Sequence, residues 1–201
     1  MPRLSMCPLI FVALLFLASP LPSASANPAT PVAKDRWLRI KIADPLARHA
    51  VRGALDGATS WLADGRCETL LSEFRTDEGR PLVERLEATG VNCEIYLGTI
   101  LFEDGSSVGR CVGGQTLAFT TPGSRVVYIC ASQFAHAWIT RPALAKAIII
   151  HEALHTLGLG ENPPSSDFIT QRVMVVCKPQ RAPRSVGPGQ VENDAASFRK
   201  R

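Results

Sequence analysis

The sequence predicts one α+β domain, and three stretches carry that prediction. Between Asp44 and Gly65 apolar residues recur at helical spacing, and between Gln115 and Cys130 the pattern is strand, turn, strand. From Pro142 a second helix is apolar on one side and bears two histidines on the other. The chain has 201 residues. Without an export segment at its start about 175 remain, enough to bury one proper core rather than lean on disulfides.

Met1 to Ala26 reads as that export segment. Arg3 is its only charge, Leu9 to Ala18 is apolar, and the small residues Ala24, Ser25 and Ala26 precede Asn27, the pattern of a cleaved signal peptide. The apolar run is short for a bilayer and no later stretch is long and apolar enough to span one. Cys7 lies within the signal core rather than after a cleavage site, so no lipid anchor is expected. The expected location is secreted or periplasmic. A formal net charge of +4, dispersed along the chain, and 6 % aromatic residues argue against nucleic acid and against a membrane surface as partners. Five cysteines follow the signal, Cys67, Cys93, Cys111, Cys130 and Cys177, with no C-x-x-C spacing among them. Two disulfides and one buried thiol are therefore expected rather than a cysteine metal site, with the pairing left open.

After a short proline-bearing lead-in at residues 27–34, Trp37, Leu38, Ile40 and Ile42 suggest a first strand. Asp44 and Pro45 are an N-cap and first-turn pair for a helix running to about Ala63. Its buried face is expected to be Ala47, Ala50, Val51, Ala54, Leu55, Ala58 and Leu62, with Gly65 as its stop and His49 on the solvent side. Cys67 to Phe74 fits a short helix or a strand. Pro81 and Gly90 bracket a short helix with Leu82, Val83 and Leu86 inside, and Val91 to Phe102, rich in Ile, Tyr, Leu and Phe, reads as one or two strands. Gln115 to Thr121 and Arg125 to Cys130 form a hairpin about Pro122-Gly123-Ser124, where Pro fixes φ and Gly is free to take positive φ. His136 reads as a surface-loop histidine between hairpin and helix. Pro142 then opens the central helix, with Ile149, Ile150, Ala153, Leu154 and Leu157 on the arc opposite the histidines. Phe168 to Cys177 resumes apolar packing, and residues 178–201, rich in Pro, Gly and Arg, read as a mobile tail.

The chemistry is concentrated in HEALHTLGLGE, residues 151–161. His151 and His155 lie four apart, about 40° apart around a helix axis, so two imidazoles can share one metal ion. Glu152 is placed to reach a water on that metal but poorly placed to be a ligand, as a general base requires. Gly158 can take the left-handed conformation that ends a helix and turns the chain back, bringing Glu161 towards the histidines. Glu192 is a rival third ligand, reached only by ordering the Pro-Gly-rich tail.

This stretch resembles the metzincin group of zinc metallopeptidases, whose pattern is H-E-x-x-H-x-x-G-x-x-H followed by a methionine-bearing turn beneath the metal. His151, Glu152, His155 and Gly158 match it; Glu161 stands where most of the group have a third His, as in its snapalysin-like members with an acidic ligand there. The resemblance implies that Met174, in QRVMVVC, is the turn methionine, and that the hairpin TLAFTTPGSRVVYIC is the edge strand and neighbour preceding the active-site helix. It also implies a zincin-like single domain, residues 27–177, with a mixed twisted sheet, a long N-terminal helix and a buried active-site helix. The lead-in at residues 27–34 leaves no room for a latency segment. The longer string HEALHTLGLGENPPSSDFIT is similar to a set of uncharacterised secreted bacterial proteins, which carries nothing about activity.

The expected function is a secreted zinc-dependent endopeptidase acting on peptide or protein substrates. His151, His155 and Glu161 would be the ligands of Zn2+, Glu152 the general base, and Met174 a packing floor. The alternative is an exported, non-catalytic module that zinc merely stabilises. Glu152 separates the two, since a structural site has no use for a general base and usually fills its fourth position with Cys or His.

Overall fold

Helix α1, Pro45–Leu62, starts where Asp44 caps it: the Asp44 side chain accepts a hydrogen bond from the Ala47 amide, and Pro45 occupies the first turn, where its missing N–H costs nothing. Its expected stripe is buried from Ala47 to Ala58, but the stripe ends on Trp61, which is buried, while Leu62 is only half-buried. The computed structural model describes residues 39–161 and 163–180, all within one compact unit. The expected signal peptide, Trp37 and Leu38 of the first strand, and the tail beyond residue 180 lie outside the described residues.

Four strands form one mixed sheet: β1, Ile40–Lys41; β2, Leu101–Asp104; β3, Ala118–Thr120; and β4, Val126–Ile129. The spatial order is β1-β2-β4-β3. β1, β2 and β4 run parallel, with Phe102 opposite Ile40 and Val127, while β3 pairs antiparallel to β4 and stands at one edge. The hairpin is shorter than its sequence suggests, and its turn closes with Ser124 N–H donating to Thr121 C=O and Gly123 at φ 79°. The prediction of an α+β domain with a mixed sheet holds at that level.

Short helices fill the connections. α2, Glu68–Glu73, resolves the ambiguous stretch in favour of helix, and α3, Leu82–Glu87, lies between Pro81 and Gly90 as expected. Two expectations fail. Val91 to Thr99 is not strand: Asn92 caps helix α4, Cys93–Thr99, by accepting from the Ile95 amide, and this local cap overrides the β preference of Ile95 and Tyr96. The stretch after the hairpin is not a loop but helix α5, Ala131–Thr140, with Phe134, Ala135 and Ala137 buried against α1.

The central helix α6, Pro142–Thr156, packs against α1, α5 and α7 and against β3 and β4. Its second half is deeply packed, and there His151, Glu152 and His155 are as buried as Ile150 and Leu154. Helix α7, Ser166–Val176, is capped by Ser165 and presents Ile169 and Val173 to the core.

Two disulfides form among the described cysteines. Cys67–Cys177 ties the start of α2 to the end of α7, and Cys111–Cys130 ties a 3₁₀ turn, Gly109–Cys111, to the end of β4, leaving Cys93 free and half-buried. The two links span 110 and 19 residues. Loop-closure entropy then predicts that Cys67→Ser/Cys177→Ser loses about 5 kcal/mol and Cys111→Ser/Cys130→Ser about 3 kcal/mol of unfolding free energy, which denaturant titration of each double variant will measure.

Candidate metal centre

The end of α6 builds the site. Leu159 N–H donates to Leu154 C=O and Gly158 N–H to His155 C=O, the paired bonds of a helix stop that needs a left-handed residue; Gly158 supplies it at φ 105°. A Cβ at Gly158 would also press to 3.2 Å from Thr76 Cγ2, whose loop bridges to Leu159. The turn brings Glu161 back over the helix.

His151, His155 and Glu161 converge as a result. The two histidine Nε2 atoms lie 2.9 Å apart. Glu161 Oε1 lies 3.3 Å from His155 Nε2 and 3.5 Å from His151 Nε2. Among the described residues this is the group of side chains that can hold a metal ion.

The outer ring nitrogens decide which way the inner ones face. His155 Nδ1 is 2.6 Å from Leu159 C=O, and a carbonyl has no hydrogen to give, so Nδ1–H donates and Nε2 carries a lone pair. His151 Nδ1 is 2.9 Å from Thr170 Oγ1 on α7; when that hydroxyl accepts, His151 Nε2 is a second lone pair, and when it donates, His151 Nε2–H can donate to His155 Nε2. In the first tautomer two lone pairs and a carboxylate oxygen point at one spot, the arrangement a cation would need. A proton on His151 is a poor occupant at neutral pH: burial, and after it the neighbouring His155 ring, pushes His151 down to about 4 against the pull of Glu161. Burial works to raise the Glu161 carboxyl, but His155, a hydrogen bond from Ser166 and His151 together outweigh it and hold the group below its ordinary range.

Glu152 stands beside this group and differs from it. It is 4 % exposed, and its Oε2 has no hydrogen-bond partner among the described residues. Burial, reinforced by Glu161 and opposed by Arg110, raises its carboxyl to about 8. It lies where two open cavities meet. One, of about 530 Å³, is lined by Arg110, the strand β3 and His155; the other, of about 510 Å³, reaches His136, Arg141 and Thr170. Edge strand β3 thus runs along the cleft wall, and Gly123 N–H at the hairpin turn donates to His155 C=O at 2.8 Å, fixing strand to helix.

Other expectations resolve differently. Met174 is not in a turn: it lies inside α7, because Ser165 caps a helix that continues unbroken through Val176, and its side chain is half-buried against the core. His136 is exposed on α5 at the rim of the second cavity, and His49 is exposed on α1. Glu192 lies outside the described residues. Thr170, Arg110 and the Leu159 carbonyl went unread in the sequence. Thr170 stands 19 residues from His151 with no spacing that links them, and a backbone carbonyl has no sequence signature at all.

Compared with protein-family models, with curated proteins and with solved structures, the chain matches none of them.

The buried groups set a pH signature for the metal-free protein. Glu152, raised when folded, stabilises fully below about 4.5 and loses that contribution as pH rises through about 8; His151, depressed when folded, stabilises above about 6.5 and loses it as pH falls through about 4. The two slopes cancel between about pH 4.5 and 6.5 and Glu152 alone acts above that. Metal-free protein will therefore lose on the order of 2 kcal/mol between pH 6.5 and 8. Glu152→Gln will abolish that fall and uncover a rise between pH 4.5 and 6.5, read from denaturant midpoints across the range.

Proposed function

We propose that the protein is an exported zinc-dependent endopeptidase in which His151, His155 and Glu161 hold the metal and Glu152 is the general base. The observation that carries this reading is Glu152: a carboxylate buried without a hydrogen-bond partner for Oε2, beside a His/His/Glu group, at the meeting point of two open cavities. A group so placed costs stability and serves no structural end in the site.

The donor set supports zinc. Ligand atoms set tetrahedrally at 2.0–2.2 Å from zinc stand about 3.3–3.6 Å apart; the two histidine–Glu161 distances, 3.3 and 3.5 Å, fall in that range, and the two Nε2 atoms, 2.9 Å apart, would have to part by about 0.4 Å. Two imidazoles and one carboxylate suit zinc better than the all-oxygen cations, and they leave one side open as catalytic sites do. Export is in keeping with two disulfides and with the absence, among the described residues, of any helix long and apolar enough to cross a membrane.

Zinc, when bound, supplies Lewis acidity to a carbonyl and brings the pKa of water from about 15.7 to about 7. The rest falls to the chain. β3 offers its outer edge to an extended peptide, which adds to the sheet as a further strand and lies across Glu152. Glu152 in its ionised form takes a proton from the attacking water on its Oε2, a step that burial favours by making the protonated carboxyl a stable state, and then returns it to the leaving amine. Thr170 and Leu159 C=O hold the imidazoles in the ligating tautomer, so that neither ring turns when substrate enters.

Purified protein supplied with zinc will carry one zinc per chain by elemental analysis, and Glu152→Ala will keep zinc and fold yet lose cleavage of a peptide library by several orders of magnitude. Zinc-loaded parent protein that cleaves nothing would favour a non-catalytic, zinc-stabilised module instead. Glu161→Ala will weaken zinc binding by at least 10- to 100-fold in chelator competition, whereas truncation after Lys178 will leave it intact; the reverse result would transfer the ligand role to Glu192.

A further inference from the structure

The cavity on the β3 side contains one feature that hydrolysis of a peptide bond does not call for. Arg110 is exposed in its wall, with Glu152, His155 and Glu161 on the same lining. Its guanidinium sits 5.6 Å from the centroid of the Phe119 ring on β3, and Phe119 stacks in turn on Tyr128 of β4, ring centroids 5.2 Å apart. Among the described residues Arg110 makes no ion pair. Among the described residues it is also the one Arg or Lys lining this cavity.

Its position is built rather than incidental. Arg110 lies within the 3₁₀ turn Gly109–Cys111, and the next residue is clamped twice: Cys111 is joined to Cys130 by a disulfide, and Cys111 C=O accepts from Gln133 Nε2 at 2.7 Å. On the other flank, Val108 N–H donates to Gly105 C=O and Ser106 Oγ accepts from the Ala131 amide. A long cationic side chain is thus fixed at its base, set over an aromatic ring of the edge strand, and left without an ion-pair partner among the described residues in a cleft open to solvent. A planar guanidinium in that setting presents its N–H fork to a carboxylate and binds it bidentately, more tightly than an exposed pair because the ring shields one face.

Building on the peptidase reading, we infer that Arg110 is a specificity-determining residue that selects substrates bearing a carboxylate at the position lying over Phe119. The carboxylate belongs either to an Asp or Glu side chain or to the peptide's C-terminus; in both cases the recognised group is the same and the aromatic stack sets its distance from Glu152. The two acidic side chains of the lining do not oppose this once the site is loaded, since Glu161 is then neutralised by the cation it ligates and Glu152 is engaged with water.

The test uses the full mature protein loaded with zinc and a library of amidated peptides in matched pairs, Glu or Asp against Gln or Asn at the same place, with a parallel set having free C-termini. Parent protein will show kcat/KM higher for the carboxylate member by on the order of 10- to 100-fold, expressed mainly in KM. Preference among amidated pairs assigns the side chain, and preference only for free termini assigns the C-terminus. Arg110→Ala will bring the ratio to about one, Arg110→Lys will restore part of it, and Arg110→Glu will turn it towards Lys-bearing peptides. Calorimetric binding of the same pairs to zinc-loaded Glu152→Gln will show the same preference and its loss with Arg110→Ala, a readout independent of turnover. A parent ratio near one, or a ratio that Arg110→Ala leaves unchanged, overturns the inference; no cleavage by the parent beside intact calorimetric preference overturns the peptidase reading alone.

Discussion

Burying three ionisable side chains in one turn of helix is the constraint to which the rest of the domain answers. His151, Glu152 and His155 are each at most 4 % exposed, and a buried polar atom without a partner costs free energy of the order of a whole hydrogen bond. Their surroundings satisfy the outer atoms and leave the inner ones. Thr170 and the Leu159 carbonyl take the Nδ1 atoms, which requires α7 to pack against α6 and requires the chain to reverse at Gly158. What is left over, two Nε2 lone pairs and Glu152 Oε2, faces the cleft. The shape of that remainder is the argument for a cation and for a proton carrier beside it.

The supports of α6 lie on the side away from the cleft. Tyr96 and Thr156 share a buried hydrogen bond of 2.9 Å, and Arg85 donates to the Leu157 carbonyl from α3. α7 is held in turn by the Cys67–Cys177 link and by the Arg172–Glu73 ion pair, whose side chains are about one-third exposed and which therefore adds little beside the covalent tie. Rigid backing of this kind suits a site whose donors must stay within a few tenths of an ångström of one another.

The long periodic elements were legible in the sequence and the short capped ones were not. α1 and α6 announce themselves through N-terminal proline and regular apolar spacing, and the β3–β4 hairpin through Pro-Gly between β-rich runs. α4 looks like strand in the sequence because Ile95 and Tyr96 favour β structure, and the signal that decides against it is a single capping side chain, Asn92. α5 looks like loop in the sequence because Gln, His and Trp interrupt its period, yet Phe134 and Ala137 sit at helical spacing. In the site, spacing within one helix revealed His151, Glu152 and His155, and a glycine turn suggested Glu161. Thr170 and Arg110 reach the site through tertiary packing, which local periodicity does not encode. The family pattern misplaced Met174 for the same reason: it prescribes a turn where Ser165 here starts an uninterrupted helix.

The Cys67–Cys177 bond has a topological consequence. It closes a covalent ring that contains every helix and strand from α2 to α7, and with them Arg110, Glu152 and the three side chains that could hold a metal. Any single backbone cut between residues 67 and 177, in the exposed turn about Gly109 for example, opens the ring without releasing a fragment. A chain cut once in this span is nicked without being taken apart, and the side chains of the site stay tethered to one another through sulfur after the main chain between them has been severed.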